Sequence, residues 1–241
     1  VGSTYVFTVL TLLMMSPTGH KVAATSTTAF EGLLNGFKYL KQQKSIASVI
    51  MLGVTLGLFG SSFETLLPVF TDEVFSGGEG VYGNLLLGAG IGGLTATTAI
   101  TLIGKRVRPA LYLIIAGVGV GATQLTFARM EVLSLAILVA GIMGGFRVVL
   151  GTMNTTVVQT LVDEEFRGRV MSINQLTWGA SALGGLTMGY LAQRFDAPTA
   201  MTVGGTIAIL ATLIVGRRLV RSFGIGSTAE QNLESPAENK T

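Results

Sequence analysis

No cysteine occurs in the 241 residues, and His20 is the only histidine. Without thiols there is no disulfide framework and no thiolate metal site. With one histidine, neither a His-based metal cluster nor a Ser-His-Asp triad can be assembled, so no cofactor, metal or enzymatic centre is expected. Charge is scarce as well. Only 12% of the residues are Asp, Glu, Lys or Arg, against about 25% in an ordinary soluble domain. That depletion is too deep for a soluble core. There is no P-loop, so the chain offers nothing to bind ATP and drive work with it.

What is abundant points the same way. Hydrophobic residues make up 49% of the chain and glycines number 33, with a mean hydropathy of +0.62. Glycine is commoner in membrane helices than in soluble ones. The composition predicts an all-α polytopic membrane protein.

Six apolar runs carry that expectation, at about 46–70, 81–103, 109–128, from near 132, at 170–193 and at 198–215. Each has about 18 to 25 residues, enough to cross a hydrocarbon core at about 1.5 Å per residue. Backbone groups in lipid must be satisfied internally, so the runs are expected to be helices. Residues 46–222 then form a six-helix half-domain. Residues 1–15 begin inside an apolar run and read as the end of a transmembrane helix that starts upstream. Residues 16–45 read as a linker. Within it Phe30, Leu33, Leu34, Phe37 and Tyr39 or Leu40 recur at helical spacing beside Lys38, Lys41 and Lys44. That pattern predicts an amphipathic helix suited to a membrane surface, a water-facing linker helix being the alternative. The polar tail 223–241 is expected to be disordered.

Thirteen of the sixteen Lys and Arg fall on one side of this topology, and only Arg129 and Arg194 on the other. The positive-inside rule makes the linker and the C-terminus cytoplasmic and the acidic loop "TDEVFSGGEG" external.

Between the fourth and fifth runs lies a dense charged knot, "DEEFRGR". Asp163, Glu164 and Glu165 are expected to cap and charge the start of the next helix, with Arg167 and Arg169 holding the turn at the surface. The knot reads as a solvated turn or as a latch of Arg/Glu pairs bridging neighbouring helices. Lys105, Arg106 and Arg108 bring more cations to the same face.

Charges inside membrane spans are costly and usually functional. Glu64 lies about 27 Å up from the cytoplasmic start of its run, and Arg147 about 22 Å down from the opposite side. The depths differ by about 20 Å, which argues against a direct pair. Glu64 reads as a coupling carboxylate or as an interfacial one reaching water. Arg147 shares a face with Gly151 and Asn154 and is expected to look into a cavity, snorkelling being the alternative. The fifth run is the least apolar. Asn174, Trp178 and Ser181 share a stripe, with Gln175 adjacent. An aromatic beside amides suits an amphipathic organic ligand, and interhelical hydrogen bonding is the competing role.

The "GAGIGG" stretch contains Gly88, Gly90 and Gly93 at dinucleotide-fingerprint spacing, but no strand precedes it and no acid follows about 20 residues on. Neither nucleotide nor nucleic acid is an expected partner. The glycines read instead as packing positions: Gly53/Gly57, Gly88/Gly92, Gly117/Gly121, Gly141/Gly145 and Gly185/Gly189 each fit G-x-x-x-G, the spacing that lets helix backbones approach closely.

Six spans, a basic linker helix in front and "DEEFRGRVMS" before the fifth span resemble the C-terminal half of a major facilitator superfamily transporter. The resemblance covers about 27–222. The "RGRVMS" turn with its glycine-rich helix is most similar to the bacterial enterobactin-exporter and macrolide-efflux branch. In one respect the chain departs from the family. Its loop "GKRVRPA" keeps the cations of a Gly-x-x-x-Asp-Arg-x-Gly-Arg pattern but lacks the Asp. The resemblance implies a proton-coupled exporter of drug- or siderophore-type molecules in the bacterial inner membrane, with an N-terminal six-helix half as partner and the substrate between the halves. A non-transporting membrane protein, such as a sensor or assembly partner, is the alternative. The topology has a direct test. A thiol reagent that does not cross membranes should label Gly78→Cys in intact cells and Ser227→Cys only after permeabilisation; labelling of both from one side would contradict it.

Overall fold

The structure is a computed structural model and describes residues 29–60, 62–103 and 108–223, together with Thr11. The chain divides into two units, Val1–Gly32 and Leu33–Thr241. Apart from Thr11 and the first turn of one helix, all that follows concerns the second unit. The expectations for residues 1–15 and for the tail beyond 223 lie outside the described residues.

Among the described residues the structure is wholly helical. Helix α1 covers Ala29–Gln42, the predicted amphipathic segment. The first apolar run is split. Helix α2 (Lys44–Phe59) ends at Gly60, α3 (Ser62–Val69) follows, and a π turn at Phe70–Val74 finishes the run. Pro68 sits in α3 and lacks an N–H to give, so it loosens the ladder just ahead of the π turn. Then come α4 (Gly78–Ile103), α5 (Pro109–Phe127), α6 (Leu133–Leu161), α7 (Arg167–Arg194) and α8 (Ala197–Phe223). Local chemistry sets the boundaries. Pro109 opens α5 where its missing N–H costs nothing. Asp196 caps α8 by accepting the Thr199 N–H on its side chain.

Among the described residues five segments are long and apolar enough to cross a membrane: Lys44–Val74, Gly78–Ile103, Pro109–Phe127, Leu133–Leu161 and Ala197–Leu219. Helix α7 has 28 residues, about 42 Å, so its length suffices. Its polarity sets it apart, with Asn174, Thr177 and Ser181 along one stripe.

The helices pack as pairs. Helix α4 lies along α6, and α5 lies between α6 and α8, while α2 packs on α7 and α8. Glycines make these approaches possible. A Cβ on Gly92 would collide with the Gly141 carbonyl, and one on Gly144 with the Ala89 carbonyl. On Gly88 it would lie 2.8 Å from the Ile137 oxygen, and on Gly57 2.9 Å from the Thr177 oxygen. Gly117 and Gly121 press against Thr212 and Ile209 of α8, and Gly53, Gly145 and Gly185 also have close neighbours on other helices. Gly189 does not: nothing lies within 4 Å of its hypothetical Cβ. Spacing alone does not decide a contact there, since Gly185 of the same pair does meet Thr65 of α3.

The core is layered along the helix axes. One apolar cluster joins Leu40, Ile46, Leu113, Val157, Val170 and Leu219 at the Lys/Arg-rich end. A second joins Phe63, Phe70, Leu85, Phe127, Met143 and Met201 at the other end, with Phe127 edge-on to Phe63 at 5.1 Å and to Phe70 at 5.2 Å. Between the layers the helices are less apolar. Gly144→Val should lower the stability of the detergent-solubilised protein by about 1–3 kcal/mol through overpacking. Gly90→Val, with nothing within 4 Å of the added carbon, should change it by less than about 0.5 kcal/mol. Thermal unfolding of the two variants checks the difference.

Candidate functional site

Midway along the bundle, between the two apolar layers, a cleft of about 110 Å³ opens among α2, α6 and α7. Arg147, Gly151 and Asn154 of α6 line it together, as their i, i+4, i+7 spacing predicts. From α7 come Asn174, Thr177 and Ser181, one turn apart. Helix α2 gives Gly53, Gly57 and Gly60, whose lack of side chains leaves the space. Gln175 does not line the cleft and is exposed. Nothing is described of the Trp178 side chain.

Arg147 and Glu64 are paired, with Arg147 Nη2 3.2 Å from Glu64 Oε1. The sequence argument against this pair is overturned, and the reason is helix length. The depths were counted as though each span ended with the hydrocarbon core. Helix α6 has 29 residues, about 43 Å, and Arg147 stands at its middle, about 21 Å from its outer end. Glu64 stands about 15 Å from the outer end of its own 31-residue segment. The remaining offset of about 6 Å is spanned by two long side chains. The pair is partly open: the Arg147 side chain is 25% exposed and that of Glu64 63%. Glu64 lies in the first turn of α3.

Amide side chains tie the cleft walls to neighbouring backbone. Asn154 Nδ2 donates to the Val49 carbonyl at 3.2 Å. Gln124, fully buried on α5, donates from Nε2 to the Gly60 carbonyl at 2.8 Å. That carbonyl stands just past the last residue of α2. Sequence reasoning passed over Gln124, although it is the one amide in the α5 run, and a lone amide in an apolar segment is a readable signal. Asn174 Oδ1 is buried at the cleft wall without a hydrogen-bond partner among the described residues.

The knot lies at the Lys/Arg-rich end. Glu164–Phe166 forms a 3-10 turn, and α7 begins at Arg167 without any side-chain cap. The acids therefore do not cap α7 by hydrogen bonds. Arg167 pairs with Glu164 at 3.5 Å within the same turn, both exposed, worth about 0–1 kcal/mol. Glu165 is exposed, as is Arg108, while Lys105 and Arg106 lie outside the described residues. The contact that reaches another helix is aromatic and polar instead. Tyr39 of α1 stacks on Phe166 with centroids 4.4 Å apart, and its hydroxyl donates to Asp163 Oδ2 at 3.0 Å. The Arg169 guanidinium lies 5.5 Å from the Phe166 ring centroid. Burial pushes the Tyr39 pKa up; the Asp163 backbone N–H pulls it down, and the Asp163 carboxylate adds to the rise. A raised tyrosine pKa keeps the donor protonated, so the contact is lost only above about pH 10.

The profile of the transmembrane secretion effector family of the major facilitator superfamily matches residues 2–238. The chain belongs to this family. It is an integral membrane protein with an all-α major facilitator fold. It is similar to a curated protein, the staphyloferrin A transporter of Staphylococcus aureus strain NCTC 8325 / PS 47, with 26% identity over 178 residues. That alignment covers 73% of this chain and 44% of the relative, so the chain spans less than half of the relative's length. No solved structure matches. Tyr39→Phe, which keeps the stack, and Asp163→Ala should each cost about 1 kcal/mol. Together they should cost clearly less than the sum, because each removes the same bond. Thermal unfolding of the four members of the cycle measures it.

Proposed function

We propose that this chain is half of a secondary active exporter of small organic molecules, of drug or siderophore type, in the bacterial inner membrane. The observation that carries the reading is the mid-bundle cleft with its Arg147–Glu64 pair. A volume of about 110 Å³ is too small for a drug-sized ligand, which needs about 300–1,000 Å³. It suits one wall of a site completed by a second six-helix half, the arrangement in which substrate sits near the midplane and the halves rock about it. The chemistry of the wall fits a cargo with anionic or oxygen-rich groups. Arg147 offers a planar fork of donors, and Asn174 and Ser181 offer amide and hydroxyl partners. The similar S. aureus protein is named for staphyloferrin A transport, which agrees with a siderophore-type cargo.

In this reading Glu64 is the coupling carboxylate. While ionised it holds Arg147. The cargo's anionic group competes with Glu64 for the same guanidinium, so carboxylate and cargo are linked through one side chain. The knot, with Lys105, Arg106, Arg108, Glu164, Glu165, Arg167 and Arg169, serves as the cytoplasmic gate. Several weak surface pairs are sufficient to bias two states that differ by a few kcal/mol.

In the complete protein, Arg147→Ala should reduce export at least about 100-fold with normal membrane insertion, and Arg147→Lys should restore it only in part, because a point ammonium lacks the fork. Efflux from cells loaded with a fluorescent drug panel, and secretion of a labelled siderophore, measure it. Wild-type efflux of no compound in either assay would favour a non-transporting membrane protein. Unchanged export by the alanine variant would remove Arg147 from the site.

A further inference from the structure

A second groove, of about 890 Å³, runs between the start of α2 and the end of α8. Its two ends differ in chemistry. At the mouth stand Lys41, Lys44 and Arg218. Along the rest the walls are apolar, with Met51 of α2 and Ile214 and Val215 of α8. Met51 is 64% exposed and Ile214 57%, so the walls face outward from the bundle rather than into its core. The three cations have no carboxylate paired with them among the described residues, and Arg218 reaches only the Ser48 hydroxyl, at 3.4 Å. Three like charges gathered without a counter-ion repel one another unless an anion sits among them. An anion at the mouth with an apolar tail along the walls satisfies both ends at once.

We propose that this groove is a binding site for an anionic phospholipid. Its phosphate lies between Lys41, Lys44 and Arg218, and an acyl chain lies along Met51 and Ile214. Several features favour a lipid over a soluble anion. The cations lie where α2 and α8 leave the apolar layer, which is headgroup depth for helices of this length. Phosphate accepts hydrogen bonds from Lys and Arg together, and basic clusters between helices at the cytoplasmic surface attract anionic headgroups. Helix α1 supports the same placement, since its one exposed face carries Lys41 together with Leu34 and Phe37, cation and apolar side chains side by side as at a membrane interface. The site is separate from the cleft at Arg147 and does not depend on the transport reading.

Native mass spectrometry of the complete protein in detergent, with phosphatidylglycerol or phosphatidylcholine added at equal concentration, tests the proposal. Retention of phosphatidylglycerol should exceed that of phosphatidylcholine at least about tenfold. Lys41→Gln/Lys44→Gln/Arg218→Gln should bring it down to the phosphatidylcholine level. Ile214→Trp, which fills the apolar groove and leaves the cations, should also reduce it, and decides the matter if the triple variant does not fold. Glycerol phosphate at millimolar concentration should not displace the lipid. Equal retention of the two lipids, or unchanged phosphatidylglycerol retention in either variant, would overturn the proposal. Displacement by glycerol phosphate would instead assign a free-phosphate site. A cross-link from Met51→Cys to another part of the longer protein, with no lipid retained, would mean that protein covers the groove.

Discussion

In a bilayer no water is available to a stray N–H or C=O, so each must find its partner inside the protein. The hydroxyls obey this constraint locally. Thr97, Thr206 and Thr212 each donate to the carbonyl four residues back, as does Ser48. Buried amides meet it across helices. Gln124 of α5 donates to the Gly60 carbonyl just past the end of α2. The same logic places Asn154, whose amide donates to Val49 on α2. These two amides tie α2 to α5 and to α6, around the segment that lines the cleft.

The second consequence of the bilayer is that apolar side chains gain little by meeting each other. Lipid is as apolar as leucine, so close packing has to supply the association. The glycines on α4 and α6 do this where Gly92 meets Gly141 and Gly144 meets Ala89. Glycines on α2 do something different. Gly53 brings α2 close to Asn154 of α6 and Gly57 brings it close to Thr177 of α7, yet with Gly60 they leave open the cleft that they line. The same residue type thus closes one interface and hollows another. The difference lies in the facing helices, backbone along the α4–α6 contact and polar side chains of α6 and α7 around the cleft.

That difference also marks how far the sequence is legible. Run length and hydropathy placed the helix starts to within a few residues, because a membrane span has few alternatives, but not the subdivision of the first run or the end of α8, eight residues past the apolar run. The i, i+4, i+7 face of Arg147, Gly151 and Asn154 and the stripe from Asn174 to Ser181 were readable, since helical geometry alone decides which residues share a face. Pairing between helices was not readable. The Glu64–Arg147 bond depends on where each helix really ends, and hydropathy does not report the turns that run beyond the hydrocarbon. Tyr39 looked like one more apolar-face residue, and its partner Asp163 lies 124 positions away. Gly189 shows the reverse error, a motif without a neighbour. Gln124 carried a signal, a lone amide in an apolar run, that periodicity arguments do not weigh.

Helix α7 joins the two polar features. Its first turn follows directly on Asp163 and Phe166, which hold α1, and about two to four turns from its start its Asn174, Thr177 and Ser181 line the cleft. No loop intervenes. A helix is stiff over this distance, so a displacement of α1 that carries Phe166 with it must carry the cleft wall too unless the Tyr39–Asp163 contact yields first. That contact is a single hydrogen bond and one aromatic stack, worth about 1–2 kcal/mol together. It is strong enough to keep α1 in register with α7 and weak enough to be released, whereas the glycine interface of α4 and α6, with carbonyls packed against backbone, allows no comparable slip. Any rearrangement of the bundle is therefore expected along the α1–α7 seam and not between α4 and α6.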